Sequence, residues 1–270
     1  MSYEKFDIIP AASFSDIGLK MIPPSLGLSS WIQCLWSTSG SKNNSERVEE
    51  KLYPDAGSSL TFEIGNTRIN AHYFHHSRVY THQWNASTKY ISVRFRPGGA
   101  RELLGLNIDD FQNIEIDLLD TDFPQHSSLQ QLMDTLPRLS TSRQIQAVQD
   151  WLLTLSCCAQ EPHYKWSMLL AHASANLIPP QQLALQSGFS RRTLERQLRK
   201  YLGFTPNQLH SFAQIRKARQ YLIMTPDSLS DIALACGYFD QAHFTNAFRE
   251  QALETPLEYR QRKMSQISNS

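Results

Sequence analysis

The sequence has no long hydrophobic run: no stretch approaches the roughly 18 apolar residues needed to cross a bilayer, so no membrane span is expected. Its start, MSYEKFDIIPAAS, lacks the basic opening, apolar run and small-residue cleavage site of a secretion signal, and a cytoplasmic location is expected by elimination. Cysteine is scarce. The four residues Cys34, Cys157, Cys158 and Cys236 form no C-x-x-C pair, so reduced thiols are expected in place of a zinc site or a disulfide framework. G-x-S-x-G, P-loop and G-x-G-x-x-G segments are also missing, which removes common hydrolase, NTPase and dinucleotide chemistries. No catalytic residue, no cofactor and no enzyme activity are therefore expected.

What is present is a chain of 270 residues, 41% hydrophobic and 19% charged, the composition of a globular protein long enough for two domains. The net charge of +1 hides an asymmetry. Residues 1–162 hold 13 Lys+Arg against 18 Asp+Glu, a net of −5, whereas residues 163–270 hold 13 against 7, a net of +6. Only the second part is dressed to meet a polyanion.

From Ser59 to Val93 the segments LTFEI, TRINAHYF, RVYTHQW and KYISVRF are short and rich in β-branched and aromatic residues, the pattern of an antiparallel barrel or sandwich. Helical stretches follow near 100–106, 128–136 and 143–158. In the last, Ile145, Val148, Leu152 and Leu155 form one apolar stripe, which packs either on the sheet or on a second subunit. Beyond Pro162 helices are expected at 164–176, 180–187, 191–202, 206–224, 229–235, 241–251 and 256–264. Start signals stand at Thr205-Pro206, Thr255-Pro256 and Ser228. The expected fold class is α+β: an antiparallel β-barrel or sandwich domain over 1–125, a helical linker or dimerisation region over 126–162, and an all-α domain over 163–270.

The all-α part contains an internal repeat. Leu183-Ala184 matches Ile232-Ala233, and Gly188-Phe189 matches Gly237-Tyr238, at an offset of 49; Leu194, Leu198 and Pro206 match Phe244, Phe248 and Pro256 at 50. Each copy has the layout of a helix-turn-helix, with a glycine at the turn and two inward apolar residues four apart on the second helix. In copy one, Arg192, Glu195, Arg196 and Arg199 are left on the outer face. In copy two, Gln241, Ala242, His243, Thr245, Asn246 and Arg249 are left there. Arginine suits guanine edges and phosphates, Gln and Asn suit adenine, and small or methyl-bearing side chains suit thymine. A connecting helix over 206–224 spans on the order of 28 Å, against about 34 Å between successive major-groove segments on one face, so one chain can reach neighbouring grooves.

Residues 163–264 resemble the DNA-binding domain of the AraC/XylS family of transcription regulators. The likeness rests on Leu183-Ala, Gly188-Phe-Ser190, Arg192-Thr-Leu-Glu-Arg196, Gly203-Phe-Thr-Pro206, Arg216-Lys-Ala-Arg219, Ile232-Ala, Cys236-Gly-Tyr238, His243-Phe, Phe248-Arg249, Thr255-Pro256 and Glu258-Tyr-Arg260. The resemblance implies that Arg191, Arg192, Glu195 and Arg196 meet DNA from the first unit, and Gln241, Ala242, His243, Thr245 and Asn246 from the second. It also implies a homodimer and, for an activator, contact with RNA polymerase. Two departures stand out: Leu253 replaces a glycine common in the second copy, and Asn246 stands where arginine is frequent.

Residues 30–120 resemble the cupin-like sensor domain of a subgroup of the same family, marked here by Pro54-Asp55-Ala56-Gly57, with Ala56 inserted, and by Arg94-Phe-Arg-Pro-Gly-Gly99. That resemblance implies a small-molecule effector. Trp36, Phe62, Tyr73, Trp84 and Phe95 are candidate pocket walls or plain core. His72, His75, His76 and His82 raise the question of a metal, but strand alternation divides them between two faces, and none is expected. The reading is a regulator that reads double-stranded DNA and answers to a small molecule; the alternatives are a metal-dependent cupin enzyme fused to a DNA-targeting module, or a regulator governed by a protein partner.

Overall fold

A computed structural model describes residues 17–39, 47–65, 68–106, 111–157, 159, 169–170, 173 and 176–268. Eight strands make up its N-terminal part: β1 (Lys20–Ile22), β2 (Ile32–Ser37), β3 (Arg47–Leu52), β4 (Ser58–Ile64), β5 (Ile69–Phe74), β6 (Tyr80–Asn85), β7 (Lys89–Phe95) and β8 (Glu115–Asp117). Six of them form an antiparallel sheet in the order β1-β2-β7-β4-β5-β8. Among the described residues the other two, β3 and β6, pair only with each other. The result is an open sandwich, since the ribbon lies apart and leaves the large sheet unclosed.

Side chains alternate across a strand, so the register sorts the large sheet into two unlike faces. The cross-strand row Leu35, Val93, Leu60, Tyr73 and Ile116 points one way, together with Phe62, Ile91 and Phe95. This face packs on three helices, α1 (Gly99–Leu104), α2 (His126–Thr135) and α3 (Thr141–Ser156), through Leu104, Leu129 and Leu152 among others. Each such side chain contributes roughly 1.5–3 kcal/mol by leaving water. The opposite row, Trp36, Ser92, Thr61, His72 and Asp117, is mostly polar and looks toward the β3-β6 ribbon.

The α3 stripe is committed to this core: Val148, Leu152 and Leu155 are buried and Ile145 packs beside them. Residues 126–156 therefore belong to the packing of the N-terminal domain, and that stripe is not a surface for a second subunit. The three described cysteines, Cys34, Cys157 and Cys236, are free thiols, and Cys158 lies outside the described residues.

In the C-terminal part the helices are α4 (Pro180–Ser187), α5 (Arg191–Leu202), α6 (Pro206–Met224), α7 (Leu229–Ala235), α8 (Gln241–Ala252) and α9 (Pro256–Ser268). The helix expected at 164–176 falls mostly outside the described residues. The start signals act as their chemistry requires. Thr205 accepts a hydrogen bond from the Gln208 amide while Gln208 reaches back to the Thr205 amide, and Thr255 and Glu258 repeat the arrangement. Two small cores result, one around Leu194, Leu198 and Phe204, the other around Ile232, Phe244, Phe248 and Tyr259. Helix α6 joins them, giving Phe212 to the first and Ile215, Ala218 and Leu222 to the second.

Candidate nucleic-acid interface and inter-sheet cleft

Helices α5 and α8 repeat one pattern of burial. Leu194, Leu198, Phe244 and Phe248 are fully buried, which turns the intervening residues outward. Arg191, Arg192, Arg196 and Arg199 are exposed on α5, with Glu195 half-buried; Gln241, Ala242, His243, Asn246 and Arg249 are exposed on α8, with Thr245 half-buried. Each helix is entered through a side-chain cap, Ser190 accepting from the Thr193 amide at 3.2 Å and Asp240 from the His243 amide at 2.7 Å. The turn glycines Gly188 and Gly237 have φ of +71° and +78°, which only glycine adopts freely. Two outer residues are tied along their own helix: Arg199 donates to Glu195 at 3.0 Å and Arg249 to Asn246 at 3.1 Å. Arg192 and Arg196 stand as exposed guanidinium groups one turn apart.

The C-terminal ends of both helices meet the N-terminal domain. On α5, Arg101 donates to the Lys200 carbonyl at 2.8 Å, Gln112 to the Gly203 carbonyl at 3.3 Å, and the Tyr201 hydroxyl donates to Glu102. On α8, Lys51 donates to the carbonyls of Ala252 (3.1 Å) and Leu253 (3.4 Å) and pairs with Glu254 at 3.1 Å. A cation at the negative end of a helix is favourably placed. Around Lys51, Tyr53 donates to Glu254 at 3.0 Å, and its ring lies 3.5 Å from the Arg219 guanidinium. Arg219 in turn donates to the Tyr259 hydroxyl at 3.1 Å. Lys263 pairs with Glu50 at 2.9 Å, both nearly buried. Burial pushes the Lys263 ammonium below its ordinary value, and Glu50 only partly offsets that. For Glu254 burial works upward, but Arg262 and Lys51 outweigh it and hold the carboxyl below its usual range.

The two segments read as marks of a sensor lie at this junction. Ala56 packs into the first helix-turn-helix core and has a φ of +66°. Asp55 pairs with Arg94, whose guanidinium outweighs the upward push of burial and lowers the carboxyl. Gly98 has a φ of +83°, and a Cβ there would stand 2.7 Å from the Tyr201 ring. His75 and His76 are buried in the same region, the His75 ring 4.9 Å from that of Phe204. The sequence reading missed Glu50, Lys51, Tyr53, Arg101, Gln112, Arg219 and Lys263. Arg219 stood within the Arg216-Lys-Ala-Arg219 match without a site role, Glu50, Lys51, Tyr53 and Arg101 had only the nearness of those two motifs as a signal, and Gln112 and Lys263 had none.

Between the large sheet and the ribbon lies a cleft of about 270 Å³ lined by Arg47, Thr61, Glu63, His72, Phe74, His82, Gln83, Trp84, Asn85, Tyr90 and Glu115. Of the candidate wall residues, Trp84 lines it and Trp36 stands behind, edge-on to Trp84 at 5.3 Å. Phe62, Tyr73 and Phe95 occupy the opposite face of the sheet, within the helix-covered core. The four histidines separate in pairs, His72 and His82 approaching Glu115 at 3.7 and 3.3 Å while His75 and His76 lie at the domain junction. Burial pushes the Glu115 carboxyl up; the hydrogen bond and charge of His82, with His72 beside it, prevail and lower it. Among the described residues no three His, Cys, Asp or Glu are grouped so as to hold a metal ion.

Residues 183–262 match the helix-turn-helix domain family, and residues 20–117 match a family described as a domain of unknown function. The HTH-type transcriptional activator RhaS of Klebsiella pneumoniae (strain 342) is 37% identical over 81 residues, 30% of this chain and 29% of that protein. Residues 183–262 of the chain are a helix-turn-helix domain. The HTH-type transcriptional regulator ArgR of Pseudomonas aeruginosa is 33% identical over 104 residues, 37% of this chain and 32% of that protein. The chain thus spans about a third or less of the length of these curated relatives. A transcriptional regulator from Chromobacterium violaceum, described as of AraC-type DNA-binding domain-containing proteins, is 33% identical over 36% of this chain and 89% of that one, with a TM-score of 0.34. Within the matched span, α5 and α8 are the second helices of the two repeated units. No helix among the described residues is long and apolar enough to cross a membrane.

Proposed function

We propose that this chain is a transcription regulator that reads double-stranded DNA with α5 and α8 and senses a small molecule in its N-terminal domain. The observation that carries the reading is the duplicated helix with buried apolar residues four apart and an exposed polar face. The C-terminal ends of α5 and α8 are held by the N-terminal domain, which leaves the N-terminal ends, about 18 Å away along each helix, as the ends offered to base edges. Arg192 and Arg196 suit guanine O6 and N7, while Gln241 and Asn246 suit adenine. Ala242 and Thr245 offer methyl contact to thymine, and Arg191, Arg199, His243 and Arg249 reach phosphates. The named relatives are a transcriptional activator and a transcriptional regulator, which agrees with a DNA-reading role without catalysis. Such a protein works in the cytoplasm, on chromosomal DNA.

The cleft favours a small molecule over a protein partner as the signal. Its lining segments continue directly into the junction: β3 runs from Arg47 at the cleft to Lys51 at α8, and Gln112, at α5, precedes Glu115 by three residues. A ligand that shifts either segment changes how the reading helices are held. One chain carries both helices, so a single molecule covers nearly two turns of duplex.

Selection of bound duplexes from a random library by the full chain, followed by footprinting, tests the reading. Arg192→Ala with Arg196→Ala is expected to abolish the footprint, each arginine being worth about 1–3 kcal/mol of discrimination. Circular dichroism should stay unchanged. A footprint that survives the double substitution overturns the assignment.

A further inference from the structure

We infer that the inter-sheet cleft takes a compact organic cation, a ligand bearing ammonium or guanidinium groups; this rests on the reading of the N-terminal domain as a ligand sensor. Two carboxylates, Glu63 and Glu115, face the cleft, and all their contacts there are long. Glu63 meets His72 at 3.4 Å, Asn70 at 3.5 Å and the Tyr90 hydroxyl at 3.5 Å; Glu115 meets His82 at 3.3 Å, the Tyr80 hydroxyl at 3.4 Å and His72 at 3.7 Å. An ionised carboxylate ordinarily draws charged donors to about 2.7–2.9 Å, so both groups keep acceptor capacity for a stronger donor.

The rest of the lining suits the same guest. Phe74, Trp84 and Tyr90 present aromatic rings, with Trp84 and Tyr90 edge-on at 5.0 Å, and ring faces attract cations. Among the described residues no lysine lines the cleft. The one arginine among those described lining residues, Arg47, lies on the exposed edge strand and donates to Gln83 at 3.4 Å. An anionic ligand would therefore meet two carboxylates in a partly desolvated space, where like charges repel more strongly than in water. An apolar ligand would strip water from Glu63, Glu115 and His72 without replacing their hydrogen bonds. A bare metal ion is disfavoured by the described histidines and carboxylates, which form no ligand group of three. The volume of about 270 Å³ lies just below the roughly 300–1,000 Å³ usual for ligand sites, which limits the guest to a small molecule.

Isothermal titration of the full chain with four-carbon probes of matched length tests the charge preference. Putrescine and agmatine supply the cations, 1,4-butanediol the neutral arm, succinate the anionic arm and zinc chloride the metal arm. The expected result is saturable binding of at least one cation, about tenfold or more tighter than the diol. Glu63→Gln and Glu115→Gln should each weaken it roughly tenfold to a hundredfold, as loss of a charged hydrogen-bond partner does. Preference for succinate or the diol, binding of zinc alone, or no response to either cation overturns the proposal, and none of these arms depends on a variant that must fold. Duplex selection with the same preparation separates the two readings. Sequence-specific DNA binding without cation binding removes only the ligand class, whereas cation binding without DNA preference removes the regulator and leaves the cleft assignment.

Discussion

His76 shows how one buried side chain ties the junction to pH. Burial pushes its ionisation down from 6.5 to about 4, and the Arg94 guanidinium pushes the same way. His75 is displaced in the same direction, again chiefly by burial. A histidine that gains its proton at about 6.5 unfolded and about 4 folded leaves stability unaffected above pH 6.5. As pH falls from 6.5 towards 4 the unfolded chain binds the extra proton first, and stability drops by on the order of 3 kcal/mol in full. Urea unfolding between pH 7.5 and 5 should show about two-thirds of this loss, and His76→Gln should reduce the slope. At this scale the sequence was only partly legible. The inward positions Leu194, Leu198, Phe244 and Phe248 followed from spacing, but Phe62, Tyr73 and Phe95 were equally compatible with either face of a sheet. Which face the helices would cover is decided by contacts far apart in the chain.

Helices are legible because their signals are local. Caps, prolines at the first position and apolar spacing predict 180–187, 191–202, 206–224 and 229–235, and these are the observed spans of α4, α5, α6 and α7. The sheets were harder, since pairing partners are set by distant segments. Strand β3, RVEEKL, has the composition of a surface segment, yet its inward Glu50 is accommodated by Lys263 from the other end of the chain. The C-cap of α8 retains a local misfit. Leu253 holds a φ of +54° where the first copy has Gly203 at +74°. A left-handed conformation costs a residue with a Cβ roughly 1–2 kcal/mol, and glycine gives part of that back through unfolded-state entropy. Leu253→Gly should therefore stabilise the domain by up to about 1 kcal/mol, read as a raised urea midpoint at unchanged slope.

Taken whole, the molecule uses its charge asymmetry in two ways. Arg191, Arg192 and Arg196 face outward, but Arg219 and Arg262 lie against Tyr53 and Lys263 against Glu50, so part of the positive excess holds the two domains together. Lys263→Met should leave Glu50 poorly compensated and cost about 3 kcal/mol, whereas adding Glu50→Leu should recover most of that loss. Differential scanning calorimetry of the two variants checks the pair; equal melting temperatures for both would mean that the contact is not made in solution.

On the proposed function, helix α6 sets the separation of the two DNA-reading helices, α5 and α8, and the N-terminal domain grips both by the same end. The molecule then acts as a caliper with a fixed opening. Sliding one half of its target by about five base pairs carries that half around to the far side of the duplex, since a turn is about 10 base pairs. No flexing of the outer side chains bridges that rotation, so phase along the double helix is selected as strictly as the bases themselves.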